Sequence, residues 1–169
     1  RISLGTKHPV VEMHYTQGIK NVLGSEYDFQ KLVLSYKHKF SLGILGVMKY
    51  KLEAGRILGT LPYPLLEIHS GNETFTYNKD AFNMMNIAEF VSDKYISVNL
   101  SHHFEGLFLN KIPLIKKLKW REVATLKAVY GGLDDKHLEE MDLPPFTRSL
   151  KEKPYMEASV GIENIFKFI

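Results

Sequence analysis

Hydrophobic and polar positions alternate along much of this chain. From Tyr95, the side chains of Ile96, Val98, Leu100, His102 and Phe104 fall on one side, and Tyr95, Ser97, Asn99, Ser101 and His103 on the other. Trp120 to Gly131 repeats the pattern, with Trp120, Ala124, Leu126, Ala128 and Tyr130 against Arg121, Thr125 and Lys127. Successive side chains of a strand point to opposite faces, so each segment predicts a ribbon with one apolar and one polar side. Phe29 to Phe40 is the clearest case: Leu32, Leu34, Tyr36, His38 and Phe40 oppose Lys31, Ser35, Lys37 and Lys39. Val47 to Leu58 sets Met48, Tyr50, Leu52 and Ala54 against Lys49, Lys51, Glu53 and Gly55. Pro9 to Thr16 and Pro154 to Phe166 alternate as well, the latter with Met156, Ala158, Val160 and Ile162 opposite Glu157, Ser159, Gly161 and Glu163.

Between these ribbons the pattern changes. Ser41 to Gly46 holds two glycines and predicts a turn; Gln17 to Asp28 and Gly59 to Asp80 read as loops. Ala81 to Val91 fits a buried strand or a short helix, and its length and the Ser-Asp-Lys turn before Tyr95 favour a strand. Residues 105–119 place Phe108, Ile112, Ile115 and Leu118 near helical spacing among Lys111, Lys116, Lys117 and Lys119; Pro113 interrupts a helix unless it sits in the first turn, so a loop with a short amphipathic turn is expected. That run fits a membrane interface or a loop packed on the sheet. Gly131 to Pro154 is a polar loop with one helical turn at Asp134-Asp135-Lys136-His137-Leu138-Glu139-Glu140-Met141.

The expectation is about seven strands, several of roughly 10 to 12 residues, against a usual mode of about 5 to 6. A tilted membrane strand needs about 9 to 11, and unequal loops suit an outer-membrane barrel. A soluble antiparallel sheet with one solvated face gives the same alternation. Under the barrel reading Leu32, Leu34, Tyr36, Leu52, Ile96, Val98, Leu100, Leu126, Val160 and Ile162 face outward. Lys37, Lys51, Glu53, Arg121, Lys127, Glu157 and Glu163 then form an interior network.

Composition narrows the chemistry. The 169 residues suffice for one domain, and the absence of cysteine removes disulfides and thiolate catalysis. A net charge of +3 is too mild to argue for nucleic acid, and no run reaches the roughly 20 apolar residues of a membrane helix. The chain starts at Arg1 rather than Met, which reads as a missing N-terminus. His14, His38 and His102 are isolated, and His102 and His103 face opposite sides, so no spacing supplies converging metal ligands. Ser92-Asp93 with a distant histidine is written as readily as a turn as a catalytic set. No G-x-S-x-G, P-loop or Rossmann pattern occurs. No catalytic, cofactor-binding or metal residues are therefore expected, and no cofactor or enzyme activity. Asn72-Glu73-Thr74 and Asn99-Leu100-Ser101 are sequons of the kind expected by chance.

The stretches LPYPLLEIHSGNE (61–73), EFVSDKYIS (89–97), HHFEGLFLNKIPLIKKLKWREV (102–123) and VGIENIFKF (160–168) resemble an uncharacterised outer-membrane family of the Bacteroidota. Its members join an N-terminal carboxypeptidase-regulatory-like domain to a C-terminal barrel distantly similar to BamA-type surface-antigen barrels. The resemblance implies that residues 1–169 are part of a transmembrane antiparallel β-barrel, with the N-terminal domain and final strands absent. It also implies a Gram-negative outer-membrane location, a role in envelope biogenesis, transport or scaffolding, and partners among outer-membrane lipid and outer-membrane or periplasmic proteins. It brings no site residues, and the Arg-Gly-Phe tripeptide of the BamA relatives is missing. A soluble β-barrel carrier of an apolar ligand and a membrane-bound hydrolase, the latter on Ser92, His102 and His103, are the alternatives.

Overall fold

The computed structural model describes residues 8–22, 25–71, 78–140 and 143–165. Six strands form one antiparallel sheet: β1 (Val10–Gly18), β2 (Phe29–Ser41), β3 (Val47–Gly59), β6 (Lys94–His103), β7 (Arg121–Gly132) and β9 (Tyr155–Glu163), in the order β1-β2-β3-β6-β7-β9. Three short strands, β4 (Glu67–Ile68), β5 (Phe90–Ser92) and β8 (Arg148–Ser149), make a second sheet in which β5 is central. β4 runs antiparallel to β5, and β8 runs parallel to it. Two short α-helices, α1 (Pro113–Leu118) and α2 (Asp135–Glu140), and three 3-10 turns, Gly43–Leu45, Tyr63–Leu65 and Leu109–Lys111, complete the described elements. Pro113 starts α1, where its missing N–H costs nothing, and Lys119 ends it in the left-handed conformation.

The expected long strands and their alternation are present, and the expected strand over Ala81–Val91 is not. That segment is irregular until β5, because its apolar residues pack singly: Phe82 and Met85 sit in one core cluster and Val91 in another. The fold class also differs from the expected transmembrane barrel. Among the described residues the large sheet is open; β1 and β9 are its two edges and pair only with β2 and β7. An open edge leaves backbone N–H and C=O groups unpaired, which hydrocarbon does not tolerate. Alternation specifies two unlike faces, and closure depends on pairing between strands remote in sequence, which alternation does not encode. Among the described residues no helix is long and apolar enough to cross a membrane.

The two faces are as unlike as the sequence suggests, and the core lies on the charged one. Leu32, Leu34, Leu52, Ile96 and Leu126 share the apolar face and are exposed, as is Val160 at 90 %. On the opposite face one end turns apolar, with Phe29, Ile57, Tyr95, Val129 and Tyr155, and the connecting segments fold over it. Ile57 gathers Leu61, Leu66, Val91 and Leu133; Val129 gathers Phe82, Met85 and Leu150. Gly55 makes this packing possible, since a Cβ there would lie 2.2 Å from the Tyr95 ring. Gly46 closes the β2–β3 hairpin at φ +96°, with the His103 carbonyl occupying the space of a side chain.

Leu61 is 1 % exposed and Leu65 43 %. Leu61→Ala should therefore lower the unfolding free energy by about 2 to 5 kcal/mol, and Leu65→Ala by well under ~1 kcal/mol. Denaturant midpoints for the two variants check the placement of the core.

Candidate functional site

Register builds the site. Residues paired across an antiparallel ladder lie on one face, and the β2–β3 register sets Lys37 opposite Lys51 and Lys39 opposite Lys49. Four ammonium groups thus stand as two directly opposed pairs, an arrangement that is destabilising without counter-charge. Lys37 Nζ donates to Glu12 Oε2 at 2.7 Å, and Lys51 Nζ lies 2.8 Å from Glu53 Oε2. Lys49 Nζ approaches His103 Nε2 at 3.3 Å, and the other ring nitrogen of His103 lies 2.8 Å from Glu163 Oε2. Lys39 is exposed and makes no hydrogen bond or ion pair among the described residues.

In front of these lysines is a cavity of about 860 Å³. Six lysines (37, 39, 49, 51, 79 and 127) and three carboxylates (Glu12, Asp80 and Glu163) contribute to its lining, so the basic groups prevail. Ser101, Thr125 and Ser159 carry hydroxyls on the same wall. A smaller cavity of about 140 Å³ adjoins at Lys51, Asp80, Asn99 and Lys127 and extends to Glu53, Glu67, His69 and Tyr95.

The floor between the cavities is tied by hydrogen bonds. Lys127 is 2 % exposed, donates to the Ala81 carbonyl and lies 3.8 Å from Glu157. Burial pushes its ammonium below the usual lysine range, against the pull of Glu157 and Asp80. Glu157 in turn accepts from the backbone N–H groups of Asn83 and Met84 at 2.9 and 3.0 Å, fixing that loop over the sheet. Glu53 accepts from Tyr95 Oη at 3.0 Å. Burial raises its carboxyl, but Lys51 and the Tyr95 hydrogen bond more than offset that, and the net shift is downward.

The interior network expected from the sequence forms in part. Lys51–Glu53 and Lys127–Glu157 meet, whereas Arg121 pairs with Glu105 at 2.6 Å rather than with Glu163. The hydrolase reading fails on geometry. Ser92 is fully buried and bonds to His69 Nε2 at 3.0 Å, and Asp93 lies against His137 at 3.3 Å, so serine and aspartate meet different histidines. His102 approaches the Leu45 carbonyl at 2.8 Å, and His103 serves Glu163 and Lys49. His69 escaped the sequence reading because nothing local marks it; only the β4–β5 pairing brings it to Ser92. Among the described residues no group of three or more His, Asp or Glu is placed to hold a metal ion. Asn99 of the second sequon donates to the Lys79 carbonyl at 3.3 Å, and the sequon at Asn72 lies outside the described residues.

The family of unknown function DUF5686, C-terminal domain, matches residues 1–141. The chain belongs to this family. No curated protein matches the DUF5686 chain, and no solved structure does. The resemblance to a BamA-like barrel with a carboxypeptidase-regulatory-like domain is corrected accordingly, since the matched family carries no assigned function and the sheet is not a barrel. The open edges likewise overturn the expected outer-membrane location, the lipid and envelope partners and the biogenesis, transport or scaffold role. They also remove the apolar-ligand carrier, which required a closed barrel with a dry interior, whereas the large cavity here lies on the lysine face.

Burial pushes His69 from 6.5 down to about 4, with Glu53 opposing. The unfolded chain therefore binds the extra proton between these values, and stability rises with pH across that window. Acidifying from pH 6.5 to about 4 should cost about 3 kcal/mol through this group alone. Glu53 adds loss in the same direction, because its folded form holds its proton less tightly than the unfolded one. In His69→Gln the His69 share of the acid sensitivity should vanish, as read from unfolding midpoints across that range.

Proposed function

We propose that this chain is a binding module rather than an enzyme, and that its lysine-bearing sheet face receives an anionic ligand. The observation that carries this reading is the pair of opposed lysine pairs, Lys37–Lys51 and Lys39–Lys49, on the wall of the larger cavity. Two of the four are neutralised by Glu12 and Glu53. Among the described residues Lys39 and Lys49 have no carboxylate partner, and they lie directly opposite each other. A bound anion would turn that repulsion into charge-assisted hydrogen bonds. The cavity is within the range of small-molecule sites, roughly 300 to 1,000 Å³. The fixed floor at Lys127 and Glu157 supports the reading further, because a preorganised site does not spend binding energy on ordering its own groups.

Inorganic pyrophosphate titrated into the intact protein should bind with an affinity that falls as salt is raised. Each charge-assisted hydrogen bond is worth about 1.5 to 3 kcal/mol, so Lys39→Gln with Lys49→Gln should weaken binding at least about tenfold. Lys116→Gln with Lys117→Gln, on the exposed α1, should leave it unchanged. Calorimetry on the three proteins decides the matter; equal affinities throughout would refute the site.

A further inference from the structure

The lysine pair does not stand alone in its row. The register continues from Lys39 and Lys49 to Ser101 on β6, Thr125 on β7 and Ser159 on β9. Five side chains on adjacent strands thus form one line across the sheet, two ammonium groups followed by three hydroxyls, and all five line the large cavity. Resting on the anion-binding reading above, we propose that the ligand is an anionic carbohydrate, with its phosphate or carboxylate at Lys39 and Lys49 and its hydroxyl groups along Ser101, Thr125 and Ser159.

The chemistry of the row is graded in the way such a ligand is. An ammonium only donates hydrogen bonds, which suits an anion; a hydroxyl both donates and accepts, which suits another hydroxyl. Strands are about 4.8 Å apart, so the three hydroxyls span about 10 Å beside the charged pair. They are available for exchange. Thr125 Oγ1 and Ser159 Oγ bond to each other at 2.6 Å, and neither is buried. A ligand hydroxyl that takes over this contact replaces a bond rather than leaving a polar group unpaired.

The floor next to the hydroxyls is bare. Gly161, two residues beyond Ser159, also lines the cavity. Its φ is not positive, and a Cβ there would meet only Val123 Cγ1, at 3.4 Å, an ordinary contact. Neither backbone strain nor packing demands glycine at this position. A strand glycine that the fold itself does not require is what close approach of a ligand would need.

The test compares three probes on the intact protein by calorimetry: inorganic phosphate, glucose 6-phosphate and glucose. Glucose 6-phosphate is expected to bind about tenfold more tightly than phosphate, one or two ligand hydroxyl contacts sufficing for that factor. Thr125→Val with Ser159→Ala should erase the difference between glucose 6-phosphate and phosphate. Gly161→Leu, which leaves the hydroxyls in place and fills the floor, should do the same, so misfolding of one variant does not shelter the idea. Equal affinity for phosphate and glucose 6-phosphate, or a preference that survives both changes, overturns the carbohydrate assignment and leaves the anion site standing. Absence of binding by both anions overturns the site itself.

Discussion

Continuous antiparallel pairing from β1 to β9 is the constraint on which everything else in this protein rests. Each ladder fixes which residue faces which, and paired residues share a face. A sequence that alternates polar with apolar residues on such strands, lysine with leucine or tyrosine on β2 and β3, has then no freedom left: one side of the sheet is polar and charged and the other is greasy. The cavity, the opposed lysines and the row of hydroxyls are all consequences of register. None of them is a local motif.

Packing adds a second condition at one end only. The sheet is not stabilised by burying its greasy face, which is largely uncovered. Its buried apolar residues lie where Ile57 and Val129 interrupt the charged face and the loops carrying Leu61, Leu66, Met85 and Leu150 descend on them. The remainder of that face stays polar, and Lys127 marks the boundary, an ammonium buried among loop atoms and held by Glu157 and the Ala81 carbonyl. The core therefore sets the depth of the cavity while the ladder sets its chemistry.

Much of this was legible in the sequence, within a clear physical limit. Alternation located the long strands and the acidic start of the Asp134–Met141 run located α2, whereas 105–119 reads as a loop with a short amphipathic turn and holds α1. Ala81–Val91 misled because a run of apolar residues reads alike whether it pairs as a strand or scatters into two clusters. Sheet closure was inaccessible for a deeper reason: a strand's pattern states that its faces differ, not how many neighbours complete the sheet. The same holds for the candidate site. The lysines were visible as a polar stripe, but that Lys39 confronts Lys49, or that Ser101, Thr125 and Ser159 continue their line, follows only from pairings between residues far apart in sequence.

The β2–β3 hairpin carries one more implication. Because its side chains alternate so strictly, sliding β2 by a single residue against β3 would turn the three lysines of β2, Lys31, Lys37 and Lys39, toward the leucine side and bring Leu34 in among charges. Alternation therefore excludes every odd-numbered slip, and the tight turn from Leu42 to Gly46 selects among the even ones. Gly46 lies in that turn, against the His103 carbonyl of β6. The lysines repel one another most in the native alignment, where Lys37 faces Lys51 and Lys39 faces Lys49, so the register is held by alternation and turn against that repulsion.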